Sequence, residues 1–229
     1  MKPLDLLIVI PARKNSSFKG KNLYPVHGKP LIEYTFNCTD INVPTCKITT
    51  IVSTDDPWIA RKAREHELIT HERPARLASD SATLDSLMSF IATEEYPCHD
   101  YYVCLPPTSP LRTRDHVKLA IQQLIIDKAD SLTSVTPEFR SIWKYSTSKY
   151  SKPLVLREKN RQQVRPVFIG NGAIFVTSGE ILRKYRKRTG GRVSLFVMNP
   201  ICSVDVHNED DIKLAEFYLN ARTHINLRS

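Results

Sequence analysis

The stretch LDLLIVI at residues 4–10 constrains the fold of this chain more than any other. Six of its seven residues are apolar, with no alternation that would leave one face for water. Such a run suits a strand of a parallel sheet covered on both sides. It stops at Pro11 and passes at once into a cationic loop, ARKNSSFKGKN, which closes on Lys21 and Asn22. The loop reads either as a solvated turn or as a grip for an anion. Seven residues fall far short of the roughly 20 needed to span a bilayer. No small-residue cleavage site follows, so the run is not read as a signal peptide, and a cytoplasmic location is expected.

Further strand-like runs occupy residues 47–53, 68–70, 101–105, 131–135, 173–176 and 193–198. Helical spacing separates them. It appears at 30–37, with Leu31, Tyr34 and Thr35 on one side. It recurs after Asp55 and Asp56, with Trp58, Ile59 and Ala63 inward, and at 84–91, where Ser79 or Asp80 is the expected cap. It appears again after Thr113, where Val117, Ala120, Ile121 and Leu124 form the stripe, and then at 179–187 and after Asn208. Strands alternating with helices predict one α/β domain over residues 1–229 with a mostly parallel sheet. Residues 137–170 lose the period and read as an arm off that sheet.

In such sheets ligands sit beyond the C-terminal ends of the strands. The expected exits are Pro11-Ala12-Arg13, Ser53-Thr54-Asp55, the run from Pro106 to Ser109, and Ser203-Val204-Asp205, and all four turn polar where the apolar run stops. Arg13, Lys14, Lys19 and Lys21, with Gly20 for backbone freedom, suit a phosphate chain. The loop is not a Walker A motif, because positions 15 and 22 are both Asn, and no GxGxxG occurs. Asp205 and His207, two apart on an extended segment, point to one side and can share a divalent cation. Asp205 supplies the hard oxygen that magnesium prefers; the other reading of His207 is a cap for the next helix. The segment PPTSPLR at 106–112 is stiffened by three prolines. It reads either as a preorganised recognition edge presenting Thr108, Ser109 and Arg112 or as a connector to the helix after Thr113.

Five cysteines, an odd count with no CxxC spacing, argue against a disulfide framework or a zinc site. The net charge of +9 admits nucleic acid, anionic lipid or an anionic small substrate. The dense basic run at 183–188 reads as a solvated helix face. Asp55, Asp80 and Asp205 near the expected ligand edge would repel a nucleic-acid backbone, and no finger spacing or aromatic RNA-binding signature occurs. Neither a nucleic-acid nor a membrane partner is expected.

Taken in order, these segments resemble the acylneuraminate cytidylyltransferases and their relatives that activate other nonulosonic acids. The matching stretches are IPARKNSSFKGKN, GKPLIEYT, IVSTDD, ERPARLASD, PPTSPLR, RQQ at Arg161, FIGNGAIFV and SVDVHNEDDIKLAE. PTSPLR and NGAIF speak against a Kdo-activating relative. The resemblance implies a Rossmann-like, three-layer α/β/α nucleotidyltransferase fold and attack of a nonulosonic acid's anomeric hydroxyl on the α-phosphate of CTP. It implies CTP contacts from Ala12, Arg13, Lys21, Asn22, Arg73, Ser79 and Asp80. It places the sugar acid near Thr108, Ser109, Arg112, Arg161, Gln162 and Asn171. Asp205, with His207 beside it, would hold Mg²⁺, and residues 137–170 would form the arm of a homodimer. The chain departs from the family pattern in three places. Its phosphate loop is one residue shorter and lacks the proline before Lys21-Asn22. Pro106 stands where the family has glutamine, which favours an acceptor such as a legionaminate. His207 stands in place of a second aspartate.

Overall fold

The computed structural model describes residues 2–14, 20–144, 152–156, 163 and 165–224, with the side chains of 222–224 excepted. Its first strand, β1 (Leu4–Pro11), lies inside a seven-stranded sheet. Residues 6–10 are buried on both faces, which accounts for the unbroken apolar run.

Two short strands, β2 (Pro25–Val26) and β3 (Lys29–Pro30), precede helix α1 (Leu31–Phe36). Then come β4 (Cys46–Thr54), α2 (Pro57–Glu65), β5 (Ile69–Glu72), α3 (Ala75–Ala78) and α4 (Leu84–Phe90), which a π turn extends through Glu95. The chain continues with β6 (Tyr101–Cys104), α5 (Arg114–Asp127), β7 (Ser131–Glu138), β8 (Ile142–Lys144) and β9 (Lys152–Val155). It ends with β10 (Val167–Ser178), α6 (Gly179–Tyr185), β11 (Val193–Val197), a 3₁₀ turn at Pro200–Ser203 and α7 (Glu209–His224).

The sheet order is β11-β7-β10-β6-β1-β4-β5. Every pairing is parallel except those of β10, which runs against both β6 and β7. Side chains alternate across β1. Leu6 and Ile8 pack with α5, and Ile10 packs with α1 and α2. Leu7 and Val9 pack with α4 and α6. The result is the expected three-layer α/β/α arrangement. Strand order reverses at β1, since β4 and β5 lie on one side and β6 on the other. The crevice between the C-terminal ends of β1 and β6 is the place where such sheets take ligands.

Several local expectations are corrected. Trp58 is 64% exposed, because the stripe that α2 buries is Ile59 and Ala63 alone. Thr83, not Ser79 or Asp80, caps α4: its hydroxyl accepts from the Ser86 N–H, and its own N–H donates to the Ser86 hydroxyl, in a capping box. Thr113 does cap α5, and Asn208 Oδ1 accepts from the backbone N–H groups of Asp210 and Asp211 at the start of α7. The weakly patterned region is narrower than 137–170. Val167–Gly170 pair with β7 as far as Glu138, so its two ends are sheet, and β8 pairs with β9 as a separate ribbon.

Arg112 ties these parts together. Its guanidinium is buried and donates to the carbonyls of Pro106 at 3.1 Å and Ala173 at 2.6 Å, and to Thr35 Oγ1 at 2.6 Å. One side chain thus joins the exit of β6 to β10 and to α1. Removing it strands three buried acceptors. We expect Arg112→Met to lower stability by about 3 kcal/mol, against about 1 kcal/mol for loss of the α5 cap in Thr113→Ala. Urea unfolding midpoints, at unchanged slope, measure the difference.

Candidate active site

A cleft of about 450 Å³ opens where β1 and β6 end, within the usual size range of small-molecule sites. Pro11 and Arg13 enter it from β1, and the run from Pro106 to Thr108 enters from β6. Lys21 and Asn22 come from a 3₁₀ turn at Lys21–Leu23, whose N-cap is Gly20 at φ +75°. A side chain would be strained there. Residues 15–19 lie outside the described residues, and with them Lys19. The backbone N–H of Lys14 donates to Asp55 Oδ1 at 2.8 Å, which joins the first two strand exits.

The cations are fixed individually. Lys21 is buried and its Nζ donates to the Val206 carbonyl at 3.0 Å. Burial pushes its pKa down, and the Asp205 carboxylate opposes that loss of charge. Arg73 follows β5, and its Nη2 donates to the Ser53 carbonyl at 3.0 Å. Burial lowers it to about 10, with Asp55 opposing, so it is still a cation at neutral pH. Arg13 Nη1 donates to the Ser79 carbonyl at 2.7 Å and lies 3.3 Å from Asp80 Oδ1. Asn22 Nδ2 donates to the Arg13 carbonyl at 3.0 Å, holding the loop against the strand exit.

Asp205 is not at a strand exit, as the sequence pattern suggested. β11 ends at Val197, and Asp205 arrives from the stretch after the 3₁₀ turn. The Val206 N–H donating to the Thr108 carbonyl at 2.8 Å draws that stretch into the cleft. His207 Nε2 lies 2.8 Å from Asp205 Oδ2. An Nε2–H tautomer would donate to that carboxylate oxygen. The two side chains thus meet on one side of the segment. Capping α7 falls to Asn208. Asp205 Oδ1 is buried without a hydrogen-bond partner. Gly172, at φ +71°, packs against the same carboxylate, and a Cβ there would come within 3.3 Å of Oδ2.

Other expected contacts take different places. Arg112 faces inward as a strut, and Ser109 is buried. Asn171 is buried too. Its Nδ2 donates to Ser203 Oγ at 2.8 Å, and its Oδ1 accepts from Ser134 Oγ at 2.6 Å. None of the three lines the cleft's space, and Arg112 and Asn171 are bonded into its walls. Ala12 is buried, with its N–H donating to the Ser53 carbonyl. Asp80 is 92% exposed at the side chain, and Ser79 lines a neighbouring groove beside β5 that meets the cleft at Arg73. Arg161 and Gln162 lie outside the described residues.

The far wall was missed in the sequence. Leu84, Leu87 and Phe175 line it together with Arg188. Arg188 belongs to the basic run expected to be a solvated helix face. That expectation holds for Arg183 and Lys184, which are exposed on the helix. α6 stops at Tyr185, and Arg186 turns left-handed, so Arg188 folds back. Among the described residues no group of three or more His, Cys, Asp or Glu gathers as a metal cluster, and no helix is long and apolar enough to cross a membrane.

Comparison with known proteins agrees with this fold. The profile of the cytidylyltransferase family matches residues 7–165. N-acylneuraminate cytidylyltransferase of Streptococcus agalactiae serotype V is 29% identical over 218 residues, 92% of this chain and 52% of that protein. The Escherichia coli O18:K1:H7 enzyme of the same name is 29% identical over 221 residues, 92% of this chain and 51% of that protein. The chain thus spans about half the length of these relatives. Post-translational flagellin modification protein B of Campylobacter coli is 26% identical over 95% of this chain and 96% of its own length. Among solved structures, CMP:2-keto-3-deoxy-manno-octonic acid synthetase complexed with CTP superimposes with a TM-score of 0.68 at 17% identity, covering 95% of this chain and 99% of that one. 4-Diphosphocytidyl-2C-methyl-D-erythritol synthase from Anaerococcus prevotii gives 0.66 at 12%, covering 96% and 100%. These two likenesses speak for the fold alone. The chain belongs to the cytidylyltransferase family.

Proposed function

We propose that the chain transfers CMP from CTP to a nonulosonic, sialic-type acid and releases pyrophosphate. One observation carries the reading. The buried ammonium of Lys21 and the carboxylate of Asp205 meet in one cleft at the reversal of strand order, with Arg13 and Arg73 beside them. Phosphoryl-type transfer needs charge neutralisation and in-line positioning more than covalent help from the protein. In this reading Lys21, Arg13 and Arg73 hold the triphosphate, and Asn22 keeps the loop in register. The acceptor lies toward β6 and β10, near Thr108. Arg161 and Gln162 remain candidates for acceptor contacts. The relatives named as N-acylneuraminate cytidylyltransferases support the choice of acceptor class. Pro106, in place of a side chain able to hydrogen-bond, favours a relative such as a legionaminate over N-acetylneuraminate.

The donor set fits a divalent cation such as Mg²⁺. Asp205 Oδ1 is a buried hard oxygen with no partner, and the ligand's own phosphates would complete the shell. When bound, the ion would neutralise phosphate charge and polarise the attacking hydroxyl. In this reading His207 orients Asp205 through an Nε2–H. The ribbon of β8 and β9 exposes Trp143 at 57% and Leu154 at 63%. Apolar side chains gathered on one projecting ribbon favour a protein partner. With residues 137–170 as a dimerisation arm, a second copy of the chain covers them.

Three outcomes test this reading. Pyrophosphate should appear from CTP only with both a divalent cation and an acceptor, assayed against N-acetylneuraminate, legionaminate, pseudaminate and Kdo. No turnover with any of the four would sink it. Asp205→Asn should lower kcat by at least about 100-fold, the loss of one charged group acting on the transition state, with the thermal midpoint nearly unchanged. Light scattering should find a dimer for the native chain and a monomer-shifted equilibrium for Trp143→Glu; a native monomer would remove the arm's assigned role.

A further inference from the structure

Arg188 is built into the far wall of the cleft by four contacts. Its backbone N–H and its Nε both donate to Asp85 Oδ1, at 3.1 and 2.6 Å. Thr177 Oγ1 donates to its carbonyl. Its guanidinium carbon lies 4.3 Å from the centre of the Phe175 ring. The side chain is only 20% exposed. Its terminal nitrogens make no hydrogen bond to any described residue, and Arg188 lines the cleft beside Leu84 and Leu87. Asp85 sits in the first turn of α4, whose capping box makes that turn rigid.

The other lining cations each already bond a backbone carbonyl. Arg73 follows β5, and Phe175, which lies under Arg188, is on β10. The Arg73 guanidinium bonds Ser53 on β4, and three strand spacings separate β4 from β10, roughly 14 Å at ~4.8 Å each. That span leaves room for an acceptor group beside a phosphate chain. A fork of N–H groups with no described partner, held over an aromatic ring between apolar walls, suits bidentate binding of a carboxylate. The apolar neighbours exclude water and strengthen the pair.

We propose that Arg188 is an acceptor-recognising residue, which binds the carboxylate of the sugar acid while Asp85 and Phe175 hold its guanidinium in place. The proposal rests on the reading of the chain as a nonulosonic-acid cytidylyltransferase and adds to it a specificity contact supplied by this chain's own basic run.

Arg188→Met keeps an unbranched stem over Phe175 and removes the fork, and Arg188→Lys keeps the charge without the fork. In the pyrophosphate assay we expect the acceptor KM to rise about 10- to 100-fold in Arg188→Met, the cost of a charge-assisted hydrogen bond. The CTP KM should not change, and Arg188→Lys should recover only part of the loss. The acceptor's carboxamide should be penalised by the native chain and no further by Arg188→Met. An unchanged acceptor KM, a parallel loss of CTP affinity, or additive losses with the carboxamide overturns the proposal. Calorimetric titration of N-acetylneuraminate separates the two failures. If the native chain turns over no acceptor, the functional reading fails. The Arg188 assignment is then decided by binding alone, and equal titration curves for the native chain and Arg188→Met overturn it.

Discussion

The burial of β1 on both faces is the constraint on which the rest of this structure depends. A strand whose residues 6–10 all leave water requires neighbours in the sheet and a helical layer on each side. Once those layers are in place, polar groups can gather at one open edge, beyond the strand ends. The switch of direction at β1 parts the flanking connections there and opens the crevice. The cleft is therefore a consequence of how the apolar core is covered.

Within the cleft, charge is held by a frame that is itself hydrogen-bonded. Lys21 leans on the Val206 carbonyl, Arg73 on Ser53 and Arg13 on Ser79. Burial makes the charges of Lys21 and Arg73 costly, and Asp205 and Asp55 offset part of that cost. A site prepared in this way rewards an anion more than a solvated surface would, because little reorganisation is left to do when the ligand arrives. Asp205 adds the opposite sign at the same place, which favours a ligand that is a phosphate chain with a counter-cation.

The division of labour among polar residues was only partly legible. Thr113 as a cap could be read directly, since capping depends on neighbours three residues away. Arg112 could not. An arginine beside two hydroxyls after a strand looks substrate-facing until the positions of Ala173 and Thr35, 61 and 77 residues away along the chain, are known. Asn171 misleads in the same way, its amide being taken up by Ser134 and Ser203. Trp58 was placed inward because periodicity does not say how wide a stripe the neighbouring layer covers.

What the sequence determined by itself was local or periodic: the two-sided strand, the alternation that makes the sheet parallel, the helix starts at Thr113 and Asn208, and the polar exits that mark a ligand edge. Tertiary structure decided which polar side chains face the ligand space and which are struts. It turned Arg112, Ser109 and Asn171 into the wall and brought Arg188 out of a basic run to face the cleft. It also assigned His207 to Asp205. The physical reason is that apolar burial is read one strand or helix at a time, whereas a polar group's role depends on which partner reaches it first, and those partners come from distant parts of the chain.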